Sequence, residues 1–159
     1  MRPIPELVAH EEAHAAVARW LGWEVVEIGY GRRGGSGFVR YSVPDGLRDP
    51  WRELLVTLAG NVSDVRTFLG HYTTSDPDVA RDAEIGSILR AAKRIIRTGF
   101  LPKSSTDKWK AAFNLVSMQP IGRESLDGIE RDLRAAWSEV SAILDSLAAT
   151  GAQTGAQGG

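Results

Sequence analysis

Apolar residues recur every three to four positions in five stretches of the chain, and a shorter, strand-like region lies between the first two. The spacing of Leu7, His14, Val17, Ala18 and Leu21 predicts a helix over about Glu6–Leu21, with Pro5 in its first turn and Gly22 as its stop. Val25, Val26 and Ile28 make Trp23–Gly29 read as a strand, and Phe38–Val43 alternates as a half-buried strand does. The connection between them is rich in glycine and predicts a hairpin. A second helix is expected from Pro50 to about Leu69, capped by Asp49, with Leu54, Leu55, Leu58, Val62, Val65 and Leu69 on its apolar face. A third opens at Asp76-Pro77 and runs to about Arg97, closed by Gly99. Leu101–Asp107 reads as a loop and Trp109–Val116 as a short helix. Ser125–Ala148 reads as a long amphipathic helix carrying Ile129, Leu133, Trp137, Val140 and Leu144, a core or self-association face. Thr150–Gly159 repeats a four-residue unit with nothing to bury and reads as a disordered tail.

These elements describe one α+β domain, mostly α-helical, over residues 1–149, with a helical C-terminal part from about residue 99. A chain of 159 residues with 43% hydrophobic and 25% charged residues is expected to fold around a real core. Its 19 Lys and Arg nearly cancel its 20 Asp and Glu, which argues against a protein held to nucleic acid mainly by phosphate charge. Glu6, His10, Glu11 and Glu12 interrupt any apolar leader, and no stretch reaches the roughly 18 apolar residues of a membrane span. A cytoplasmic protein without membrane contact is expected. With no cysteine, a bound metal must rest on His, Asp or Glu, and only His10, His14 and His71 supply imidazole.

Two of those histidines form His10-Glu11-Glu12-Ala13-His14, an H-E-x-x-H pentad. Residues four apart stack one turn above each other, so both imidazoles reach one ion from one helix face. Glu11, one step round, touches a water on that ion without binding the ion itself. Zinc lowers the pKa of such a water to roughly 7, and a carboxylate beside it takes the proton and passes it to a leaving amine. A third ligand is needed. Residue 20 is Trp20, so the closely spaced third histidine of the extended motif is missing. The candidates farther along are His71, Asp64, Asp76, Asp78, Asp82 and Glu84. Gly29-Tyr30-Gly31-Arg32-Arg33-Gly34 spells G-x-G-x-x-G, but a strand follows it where a dinucleotide site needs a helix. Nucleotide binding is not expected there.

Three short segments in order carry a resemblance: His10-Glu11-Glu12-Ala13-His14-Ala15 before the hairpin, Leu58-Ala59-Gly60-Asn61-Val62-Ser63-Asp64 after it, and Thr73-Thr74-Ser75-Asp76-Pro77-Asp78-Val79. Over residues 7 to about 98 the chain resembles the peptidase domain of the FtsH metalloprotease family. That resemblance implies a zincin-like domain and a zinc-dependent endopeptidase acting on peptide or protein substrates. It implies His10, His14 and Asp78 as zinc ligands and Glu11 as the activator of water. The loop is one residue shorter than the family's, which leaves Asp82, one turn on, as the rival of Asp78. Asp64 matches the family's acidic position after Leu-Ala-Gly, where a carboxylate could orient a ligand histidine from behind. No Walker-type phosphate loop is present, so ATP-independent cleavage is expected. The competing expectation is a catalytically silent module that binds a protein partner. Homo-oligomers are possible in either case.

Overall fold

The computed structural model describes residues 5–31, 37–68, 72–102, 106–120 and 125–151. His71, the hairpin tip with Arg32 and Arg33, and the tail from residue 152 lie outside the described residues. Seven elements follow one another: α1 (Pro5–Trp20), β1 (Glu24–Tyr30), β2 (Gly37–Ser42), α2 (Pro50–Thr67), α3 (Pro77–Thr98), α4 (Asp107–Ser117) and α5 (Leu126–Thr150). The architecture is α+β and mostly helical, as expected, with a single two-stranded antiparallel sheet among the described residues.

The caps explain the boundaries. Asp49 accepts from the Arg52 amide and Pro50 opens α2, while Asp76 accepts from the Asp78 amide and Pro77 opens α3. Gly99 and Gly151 end α3 and α5 in the left-handed conformation that side chains resist. Ser125 caps α5 through the Gly128 amide. Helix α4 begins two residues earlier than the apolar spacing suggests, at Asp107 after Thr106. Its first turn is polar, so periodicity could not register it.

Helix α2 is the hub and packs against α1, α3, α4 and α5. That position accounts for its composition: Leu54, Leu55, Val56, Leu58, Ala59, Gly60, Val62, Ser63 and Val65 are all buried. Small residues at 59, 60 and 63 let neighbouring helices approach closely. Helix α5 closes the bundle with Ile129, Leu133, Trp137, Val140 and Leu144, so Trp137 is a core residue. The hairpin lies along α1, with a bulge between Val25 and Glu27. Trp23 anchors its base, stacking edge-on against Tyr41 and donating its indole N–H to the Leu47 carbonyl at 2.7 Å. Among the described residues, no helix is long and apolar enough to cross a membrane.

Candidate metal centre

Helix α1 presents His10 and His14 one turn apart, as the pentad requires, and turns both rings toward α2 and α4. His14 Nε2 lies 3.2 Å from His10 Nε2. Both ring nitrogens face one carboxylate oxygen, Asp107 Oδ2, at 2.7 Å from His10 and 2.9 Å from His14. Of the three edges of this triangle, the 3.2 Å one matches the roughly 3.3 Å expected between ligands ~2.0 Å from a tetrahedral zinc, and the two to Asp107 are shorter. Among the described residues these three are the group of His, Asp and Glu able to hold a metal ion.

The other ring nitrogens fix the chemistry of this triangle. His14 Nδ1 donates to the Val56 carbonyl at 2.6 Å, and His10 Nδ1 donates to Asp64 Oδ2 at 3.0 Å. A carbonyl and a carboxylate accept only, so both Nδ1 atoms carry protons. In the neutral rings Nε2 is therefore a lone pair, and two lone pairs converge on an anionic oxygen. Such an arrangement holds together only around a positive charge, either protons or a metal ion. The electrostatics agree. Burial alone disfavours charge on His10, yet hydrogen bonds to Asp107 and Asp64 override it and push its pKa up to about 10. Burial likewise works against ionised Asp107, but hydrogen bonds from His10 and His14 hold its carboxyl far below the usual range. The group could hold a metal ion in place of those protons.

Two features of α2 complete the cradle. Asp64 orients His10 from behind, the role its motif position suggested. Asp64→Ala is expected to weaken binding of a divalent metal by 10–100-fold, read by competition with a coloured chelator. Gly60 lies directly beneath the imidazoles. A Cβ there would collide with the His10 ring and come within 2.7 Å of His14 Nε2. The glycine of the Leu-Ala-Gly triplet is thus required by two rings rather than by a turn. Gly60→Ala is expected to lower metal affinity at least ~10-fold while helix content holds, because alanine is the better helix former by about 1 kcal/mol. Unchanged metal affinity would show that the rings have room to move.

Glu11 stays out of the ligand triangle. It is 6% exposed, and its side chain runs under the first residue of β2, where a Cβ on Gly37 would fall 2.8 Å from Glu11 Cγ. Burial raises its pKa above the ordinary value, against the opposing pull of His14 and His10.

The structure does not bring Asp78 to the histidines. It lies in the exposed first turn of α3, its side chain 75% accessible and 3.3 Å from Arg81. Asp82 faces Arg81 and Arg134, whose hydrogen bonds hold its carboxyl below the usual range. Asp76 is spent on the helix cap, and Glu84 bonds the Tyr72 hydroxyl at 3.2 Å. The carboxylate that meets the two histidines comes instead from α4, which packs on both α2 and α3 and sets its first turn over them. The apolar spacing puts Asp107 at the end of a loop, whereas it opens α4. The available signal was weak: one acid following Thr106 at a helix start, a pattern that the helix dipole favours anyway. No family model matches this chain, and no curated protein or solved structure does either.

Proposed function

We propose that this protein is a zinc-dependent peptidase whose metal is held by His10, His14 and Asp107, with Glu11 as general base. The carrying observation is the convergence of two histidine Nε2 atoms on one Asp107 oxygen, with a buried glutamate next to His10 in the chain. Two imidazoles and one carboxylate are a ligand set that leaves zinc an open position, whereas structural zinc sites are closed by four protein ligands. When bound, zinc supplies Lewis acidity to water and to a substrate carbonyl. Glu11 takes a proton from the attacking water as the new C–O bond forms. It returns that proton to the amide nitrogen as the C–N bond breaks. Its raised pKa brings it nearer to neutrality, which suits both transfers. Asp64 and the Val56 carbonyl hold the two rings in the tautomer that binds metal. The pentad helix beside a small sheet supports a zincin-like fold of the FtsH peptidase type, acting without ATP on peptide or unfolded protein substrates.

The test compares zinc-loaded protein with chelator-stripped protein on a broad set of peptides and unfolded proteins. Cleavage is expected in the first, none in the second, and recovery on adding one equivalent of zinc. Protein that purifies metal-free from zinc-supplemented medium, and gains no thermal stability from zinc, would remove the reading.

A further inference from the structure

Charge is distributed unevenly over the molecule. From Ile85 to Arg123 the chain carries eight Lys and Arg and a single acid, Asp107, although its net charge is −1. Asp107 is taken up by the two histidines. Elsewhere several arginines find partners: Arg40 with Glu27, Arg48 with Glu53, Arg66 with Asp145 and Arg134 with Glu130. Arg90, Lys93, Arg94 and Arg97 of α3 and Lys108 and Lys110 of α4 pair with no carboxylate among the described residues. The helix dipole favours Arg97 in the last turn but gives no reason for Arg90 two turns earlier.

Arg90, Arg94 and Arg97 share one face of α3 by their spacing, Lys108 of α4 continues it beside the metal centre, and Lys110 lies on a different face of α4. Arg94 of α3 and Lys108 of α4 both lie over the Trp109 ring, 5.8 and 5.6 Å from its centroid, and so join the two helices' charges. Lys108 is next in sequence to the ligand Asp107. Lys110 lines a cavity of about 350 Å³ together with Trp23, Tyr41, Val56, Leu101 and Phe113. Val56 ties that cavity to the site, since its carbonyl holds His14.

We propose that this face binds an acidic stretch of the polypeptide substrate, with a neighbouring aromatic or large aliphatic side chain seated in the Trp23–Tyr41–Phe113 cavity. Arg90, Arg94 and Arg97 step along α3 by three or four residues, about 4.5–6 Å each. Same-side residues of an extended peptide lie about 6.6–6.8 Å apart, a longer step that its flexible acidic side chains can span. A single-stranded nucleic acid calls for open aromatic platforms, and here the aromatic ring amid the cations is already engaged by Arg94 and Lys108. The proposal rests on the peptidase reading for its outcome but not for its binding step.

Binding is measured on zinc-loaded Glu11→Gln protein, using a labelled peptide rich in Asp and Glu around one Phe. Its counterparts are a Lys-rich peptide with the same Phe and a short single-stranded oligonucleotide. The acidic peptide is expected to bind at least ~10-fold tighter than the Lys-rich one, to weaken with salt, and to lose at least ~10-fold in the variant Arg90→Gln, Arg94→Gln, Arg97→Gln. Should that triple variant misfold, Arg90→Gln with Arg97→Gln leaves the Arg94–Trp109 contact intact and is expected to lose affinity as well. Equal binding of the two peptides, or variants that bind as before, would overturn the proposal. So would an oligonucleotide that outcompetes the acidic peptide and depends on the same arginines. Variant-sensitive binding without cleavage of any substrate by the native protein would sink the peptidase reading alone. Indifferent cleavage of acidic, neutral and basic peptides would sink this proposal alone.

Discussion

Asp107→Ala is expected to lower zinc affinity by well over the ~10–100-fold typical of losses behind the ligands, and to abolish metal-dependent cleavage. Asp78→Ala is expected to leave both unchanged. Asp107 is the only negative charge in the ligand triangle, and it lies 2.7 and 2.9 Å from the two nitrogens it joins. Without it a divalent ion would be held by two neutral imidazoles and no balancing protein charge. Asp78 faces solvent and Arg81, so its loss removes one exposed ion pair worth at most about 1 kcal/mol. The check is a zinc competition titration of both variants, with melting curves taken with and without zinc. The reverse order, a metal-free Asp78 variant and a zinc-binding Asp107 variant, would mean that α4 does not supply the ligand.

Glu11→Gln is expected to keep zinc binding and lower turnover by roughly 10²–10⁴. The amide is nearly isosteric, so it fits beneath Gly37, and it lies outside the triangle, so the metal stays. It cannot take a proton from water. Turnover is measured at saturating peptide with zinc content determined on the same sample. This substitution also separates an enzyme from a silent binding module. In the module, the variant and the native protein behave alike in every assay, and neither cleaves. A variant that cleaves at the native rate would remove Glu11 from the reaction.

Much of this was legible along the chain because it depends on local physics. Helix periodicity, Asp49 as a cap, and Pro50 and Pro77 at first turns set all five helices to within about two residues. The pentad's spacing alone places His10 above His14. Asp64 and Gly60 were legible only as motif members. Their reasons, a hydrogen bond to His10 Nδ1 and clearance for two rings, involve contacts between α1 and α2 that no local pattern encodes.

By itself, then, the sequence determined the elements, an α+β composition of the fold and two histidines on one helix face. Each follows from interactions within a few residues or from a repeating apolar stripe. The carboxylate that joins the histidines was a tertiary decision. Asp107 is 93 residues from His14, and nothing near it in the chain distinguishes it from any acid at a helix start. Six candidates closer in sequence, five carboxylates and one imidazole, were also able to bind a metal. Five of them lie among the described residues, and there caps, arginines, a tyrosine and a hydrogen bond behind His10 claim them instead. What selected Asp107 is the packing of α4 onto α2 and α3, which carries its first turn to the histidines, and packing between distant helices is written in no single stretch of residues.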